Sequence, residues 1–143
     1  MGIFIVIAII AFIIFIIVQN VDTSPIENIA YNYRGLDFGN NSNLKMEKSR
    51  TLFTFQNKFI TIYSDRYMEP LKVRILKKES GQRYIIYTCM DGYRNRLIIF
   101  RSIMNSTILD CIFIRRPDRY EIYSDNPNIY NDIDKVYGVM NAF

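Results

Sequence analysis

The chain has 143 residues and a formal charge of +4, from 18 Lys or Arg against 14 Asp or Glu. It contains no His, which removes the commonest general base, the commonest zinc ligand, and Ser-His and Cys-His nucleophile pairs. Its two cysteines belong to no CxxC pair, which argues against thiol redox catalysis and zinc binding.

From Ile3 to Val18 there are only Ile, Phe, Val and Ala side chains. Residues 1–18 as a helix span roughly 27 Å, close to the hydrocarbon thickness of a thin bilayer. A buried strand or core helix is the alternative, but a run with no polar face at a chain terminus suits lipid better. The reading is a single-pass membrane anchor over residues 1–18, with the lipid bilayer as its partner. A cleaved signal peptide needs a basic n-region and a small-x-small site; neither is present around Gln19 to Pro25, so the anchor is expected to be retained. Val6 stands where myristoylation wants Ser or Thr. Flanking charges leave the orientation nearly balanced. The glycosylation sequons at Asn40 and Asn105 and the cysteine pair favour a lumenal or external C-terminal domain.

Residues 19–50 read as a tether and irregular approach segment, with Ser24-Pro25, Arg34-Gly35 and the loop-like run Phe38 to Asn43. Residues 51–143 read as one small domain. Short apolar runs recur there between turn residues, the mark of an antiparallel β domain. Leu52–Phe55 and Phe59–Tyr63 flank a hairpin turn at Gln56-Asn57-Lys58. Leu71–Ile75 alternates apolar with basic residues, as a strand with one wet face does. Tyr84–Cys89, Leu97–Phe100, Ile108–Ile114 and Tyr120–Tyr123 follow, with Asp91-Gly92 as a strong turn signal. Residues 129–140 read as a short terminal helix. The expected fold is α+β or mainly β: an N-terminal transmembrane helix, then one antiparallel β-rich ectodomain with a C-terminal helix. Its expected core is Phe53, Phe55, Ile60, Ile62, Val73, Ile75, Ile86, Ile98, Phe100, Ile112 and Ile114.

Cys89 and Cys111 both fall in strand contexts, and in an oxidising compartment they are expected to form a disulfide. Two buried free thiols are the alternative. Between Arg66 and Arg119 twelve Lys or Arg face five Asp or Glu, whereas four acids and one Lys follow from Tyr120 onwards. Such asymmetry marks surfaces for anionic partners, or else the solvated side of one hairpin. No RNP, KH or zinc pattern supports nucleic acid as the partner. Asp65, Glu69, Asp91 and Asp110 are the candidates for a carboxylate pair, and Asp125-Asn126-Pro127-Asn128 or Asp132-Ile133-Asp134 for loose calcium binding. A turn and a helix start explain the latter equally well, since no EF-hand Gly and distal Glu follow. Neither a metal nor a cofactor is expected, and there is no GxGxxG, P-loop, GxSxG or HExxH.

An apolar N-terminus over Met1 to Val18, followed by a small domain with one Cys pair and no catalytic motif, resembles the small envelope proteins of large DNA viruses. The layout is similar to that of the shorter per os infectivity factors of baculoviruses and nudiviruses, and to poxvirus entry-fusion subunits. The resemblance implies a non-enzymatic subunit of a virion-envelope entry complex, held in the membrane and contacting partner ectodomains. It carries over no functional residue. Tyr and Arg are the types enriched at such contacts, and the turn-borne Tyr93, Arg94 and Arg96 with the strand-end Arg115 and Arg116 are the candidate anchors. A membrane-anchored enzyme or cell-envelope factor using carboxylate chemistry is the alternative.

Overall fold

Alternating apolar residues and tight turns divide the chain after residue 26 into eight strands. The computed structural model describes residues 2–37, 45–81, 84–102 and 110–129. The strands are β1 (Glu27–Asp37), β2 (Glu47–Phe55), β3 (Phe59–Ser64), β4 (Leu71–Ser80), β5 (Tyr84–Met90), β6 (Arg96–Ser102), β7 (Cys111–Arg115) and β8 (Tyr120–Ser124), preceded by helix α1 (Gly2–Asn20). Each strand pairs antiparallel with the next, and β1 pairs with β8, so the sheet closes into an eight-stranded barrel. Closure removes the exposed edges that an open meander would present.

Two irregularities shape the barrel. Between Tyr31 and Tyr33 the β1–β2 register slips, from Tyr31 opposite Thr51 to Tyr33 opposite Lys48. A second slip lies between Ile75 and Lys77 on β4. Bulges of this kind bend a strand and reverse which face its later residues occupy. In β1 the slip turns Arg34 toward the interior. The first half of β1 pairs with β2 alone, and its second half with β8 as well, from Tyr33 opposite Ser124 to Asp37 opposite Tyr120.

Here the structure departs from the expected irregular segment over 19–50, because β1 and the start of β2 lie inside it and are integral to the barrel. The inward face of β1 reads Ile29, Tyr31, then Arg34. A strand whose alternation is broken by a bulge and whose inward set includes a cation carries no clean period-2 signal.

The interior is filled with side chains. Tyr31, Phe53, Phe55, Ile60, Ile62, Val73, Tyr87, Cys89, Leu97, Ile99, Ile112, Ile114 and Tyr123 form one buried cluster. Phe53 sits at its centre, edge-on to Tyr123 at 5.0 Å and to Tyr31 at 6.4 Å between ring centroids. A second cluster, with Ile86, Phe100, Cys111, Phe113, Ile122 and Ile129, lies on the outer face of β5 to β8. Ile86 and Phe100, expected in the main core, belong to this outer cluster, and Ile98 packs against it. On β5 and β6 both faces are apolar, so alternation alone cannot say which faces inward.

Cys89 and Cys111 are free and buried, which corrects the expected disulfide. β6 lies between their strands, a separation of about 9–10 Å at normal strand spacing. Cys89 also lies opposite Leu97 of β6, whereas Ile112, next to Cys111, lies opposite Arg101. The two residues moreover face opposite sides of the sheet. A disulfide needs Cα atoms within about 7 Å.

The two barrel ends are distinct. The near end, where α1 joins, carries the β2–β3 turn and the start of β7. The far end carries the loops 65–70, 91–95 and 116–119. α1 makes no amphipathic face: its described side chains, up to Val18, are exposed all round, with Phe4 at 79 %. Among the described residues no helix is long and apolar enough to cross a membrane. The expected terminal helix over 129–140 lies outside the described residues apart from Ile129.

Candidate functional site

The far end gathers most of the residues that the sequence singles out. Asp91 builds the β5–β6 turn, its Oδ1 accepting from the backbone N–H of Tyr93 (2.9 Å) and of Asn95 (2.8 Å). These bonds outweigh burial and hold its carboxyl below the ordinary value. The turn places Tyr93 outward, 88 % exposed, and fixes Arg94 at φ 64°. A non-glycine residue in the left-handed region is uncommon and clusters at functional sites. Met68, on the neighbouring β3–β4 loop, is also fully exposed.

Arg96 lies opposite Met90, which in turn lies opposite Arg74. Since Cys89 and Leu97 face inward, Arg74 and Arg96 share the outer face. Arg115 lies opposite Ile98 on that same face. Lys72 belongs to it too, its Nζ 4.2 Å from the Phe59 ring centroid. Lys72, Arg74, Arg96 and Arg115 thus form a cationic band over β4 to β7, beside the exposed Tyr93.

Arg116 does not join that band. It turns into the barrel mouth and donates from Nε to Oε2 of Glu121 at 2.6 Å. Its side chain is largely buried, which corrects its expected role as an exposed contact. Glu121 is fully buried, 0 % exposed, and also accepts from Arg34 Nη2 at 2.9 Å, with Arg119 Nε at 3.7 Å. Burial pushes the Glu121 carboxyl up, but Arg116 and Arg34 outweigh it and hold it below the ordinary value. The Arg34 guanidinium lies 5.8 Å from the Tyr67 centroid and 5.9 Å from that of Tyr123. Burial pushes the Tyr123 phenol well above its usual value.

At the near end a second network joins helix to barrel. Asp22 accepts the Lys58 backbone N–H at 2.6 Å, and Ser24 Oγ accepts that of Asn57 at 2.9 Å. Gln56 Nε2 donates to the carbonyls of Asp22 and Ser24. Lys58 Nζ donates to the carbonyls of Val18 (3.0 Å) and Val21 (3.2 Å). The last turn of α1 has no basic residue of its own; Lys58 brings the cation that the negative end of a helix dipole favours. Inside this end Arg101 pairs with Glu27 and stacks over Phe55 at 4.6 Å.

The other sequence candidates do not converge. Asp65 accepts from Ser49 Oγ at 2.7 Å on the far end, whereas Asp110 accepts from the Tyr31 hydroxyl at 2.9 Å on the near end. Asp125 accepts from the backbone and side chain of Asn32, and Asn126 from the Asn128 backbone, so these residues serve as turn and strand partners. Among the described residues no three Cys, Asp or Glu side chains gather closely enough to hold a metal ion. Asn40, Asn105, Asp132 and Asp134 lie outside the described residues.

Sequence patterns do not single out Arg34, Glu121 or Lys58. The one signal they offer is Glu121 itself, the lone acid in the apolar strand Tyr120–Ser124. No protein-family model matches the chain, and no curated protein or solved structure matches it either.

Proposed function

We propose that the chain is a non-enzymatic, membrane-anchored docking subunit. α1 lies in a bilayer, and the barrel presents its far end to the ectodomains of a hetero-oligomeric membrane complex. The resemblance in layout suggests a virion envelope as the setting, with a role in entry or oral infectivity. The observation that carries the reading is the placement of the two surfaces. The apolar helix leaves one end of the barrel, and Tyr93 occupies the other with Arg96 and Arg115 beside it, while Lys72 and Arg74 continue the band along the outer face toward Phe59.

Physical chemistry supports both halves. A helix apolar all round needs an apolar surrounding, and none of the described barrel residues covers it. The described side chains of α1, residues 2–18, reach about 26 Å, a little short of the hydrocarbon thickness of a thin bilayer, and local thinning accommodates the difference. The hydrogen-bonded junction of Asp22 and Ser24 with residues 56–58 keeps the barrel from swinging freely on its anchor. A fixed orientation lowers the entropy lost when partners dock in the plane of a membrane. The band of Lys72, Arg74, Arg96 and Arg115 selects partners with acidic surfaces.

Affinity purification of the full chain from membranes in mild detergent tests the proposal. Partners should co-purify in fixed ratio, and Tyr93→Ala with Arg96→Ala should release them while the chain stays membrane-bound. Partners retained in full by that double variant would refute the assignment of the far end. Carbonate extraction of the chain from membranes would refute the anchor.

A further inference from the structure

The barrel's far mouth contains a cup that the docking surface does not use. It has a volume of about 250 Å3 and is lined by Arg34, Leu36, Lys45, Glu47 and Arg66. Three of the five lining residues are cations and one is an anion. Arg66 donates to Glu47 at 2.9 Å across it, both side chains being substantially exposed.

Among the described residues, the buried charge beneath the cup does not balance. Three guanidiniums, those of Arg34, Arg116 and Arg119, converge on the single carboxylate of Glu121. Asp118 takes one bond from Arg119 at 3.0 Å, but its own side chain is mostly in solvent. Arg34 reaches both the Glu121 network and the cup, and its Nε is buried without a partner. Arg34 shares Glu121 with Arg116 and Arg119, so its charge is only partly neutralised and attracts an anion to the cup. The guanidinium fork matches a carboxylate in two-bond geometry.

We propose that this cup binds a small organic dicarboxylate. One carboxylate meets Arg34, the other meets Arg66 and Lys45, and Leu36 covers the carbon chain between them. The volume is below the range of about 300–1,000 Å3 usual for drug-sized ligands, which suits a diacid of a few carbons. Glu47 acts as the built-in competitor, holding Arg66 until the ligand displaces it. The Glu47–Arg66 pair is solvent-exposed, and exposed pairs are worth about 1 kcal/mol or less, so displacement is easy. The inference is independent of the docking role, whose residues lie on the outer face.

The test is a titration of the full chain in detergent micelles with succinate, followed by the arginine Nε–H resonances in NMR. Saturable binding that shifts the Arg34 Nε–H is expected. Arg66→Gln should weaken it about tenfold, the effect of one lost charge-assisted contact. Glu47→Gln should tighten it severalfold by removing the competitor. Lys77→Gln, the same charge change at the barrel's near end, should leave it unaltered. No saturation, or equal weakening by Lys77→Gln, would overturn the site. Inorganic phosphate binding more tightly than succinate would overturn the dicarboxylate assignment. Loss of partner proteins in Arg66→Gln without any succinate binding would assign the cup to the docking surface instead.

Discussion

Replacing Glu121 with Gln keeps the shape of the side chain and removes the one buried anion of the far mouth among the described residues. Glu121 is fully buried and lies 2.6 Å from Arg116 Nε and 2.9 Å from Arg34 Nη2. The variant leaves both guanidiniums partly buried without the anion that they are bonded to. Breaking a buried pair from one side costs about 3–5 kcal/mol. Small domains have only about 5–15 kcal/mol in total, so the loss is a large share. At roughly 3–5 °C per kcal/mol for a chain of this size, the melting temperature should fall by at least about 9 °C, read by circular dichroism in micelles. Arg34→Met should cost less than half as much, because Arg116 still holds Glu121. The pH dependence supplies an independent check. Glu121 titrates below its ordinary 4.5, so its contribution is complete above that pH and is lost as pH falls through the folded value. The gap between wild type and Glu121→Gln should therefore close on acidification below pH 4.5. A loss under about 1 kcal/mol, within the range of exposed pairs, would refute the view that this network holds the mouth of the barrel together.

Other consequences are direct. Lys58→Ala should weaken the helix–barrel junction by about 0.3–1 kcal/mol, visible as faster proteolysis between residues 19 and 26 with an unchanged barrel melt; unchanged proteolysis would speak against the clasp. Arg94→Asn should keep or slightly raise stability, because Asn tolerates the φ of 64° better, while costing roughly 2 kcal/mol in partner association; equal affinity would remove Arg94 from the docking surface. Burial pushes the thiols of Cys89 and Cys111 up to about 12, so at pH 8 only about one in ten thousand is ionised. Both should resist iodoacetamide in the native chain and react in urea. A disulfide found by mass spectrometry of the unreduced chain would contradict the separation of the two strands.

What the sequence determined by itself is what short-range physics controls. The uniform apolar run of residues 3–18 has one stable conformation in an apolar surrounding, and it is a helix. Strands β2 and β3 and the start of β4, Leu71 to Ile75, alternate because one of their faces meets water, so their period alone assigns Phe53, Phe55, Ile60, Ile62 and Val73 to the core. The Asp91-Gly92 turn is legible because its Asx bonding is local. Only the tertiary structure decided the rest. β1 carries an inward Arg34 that makes sense only beside Glu121, 87 residues further along the chain. The faces of β5 and β6 cannot be told apart by pattern, since both are buried, one in the barrel and one against the outer cluster. That same ambiguity hides the fact that Cys89 and Cys111 look away from each other. Barrel closure itself rests on the pairing of β1 with β8, a contact between the two ends of the sheet. No local pattern encodes such a contact, because its energy comes from satisfying two strand edges at once.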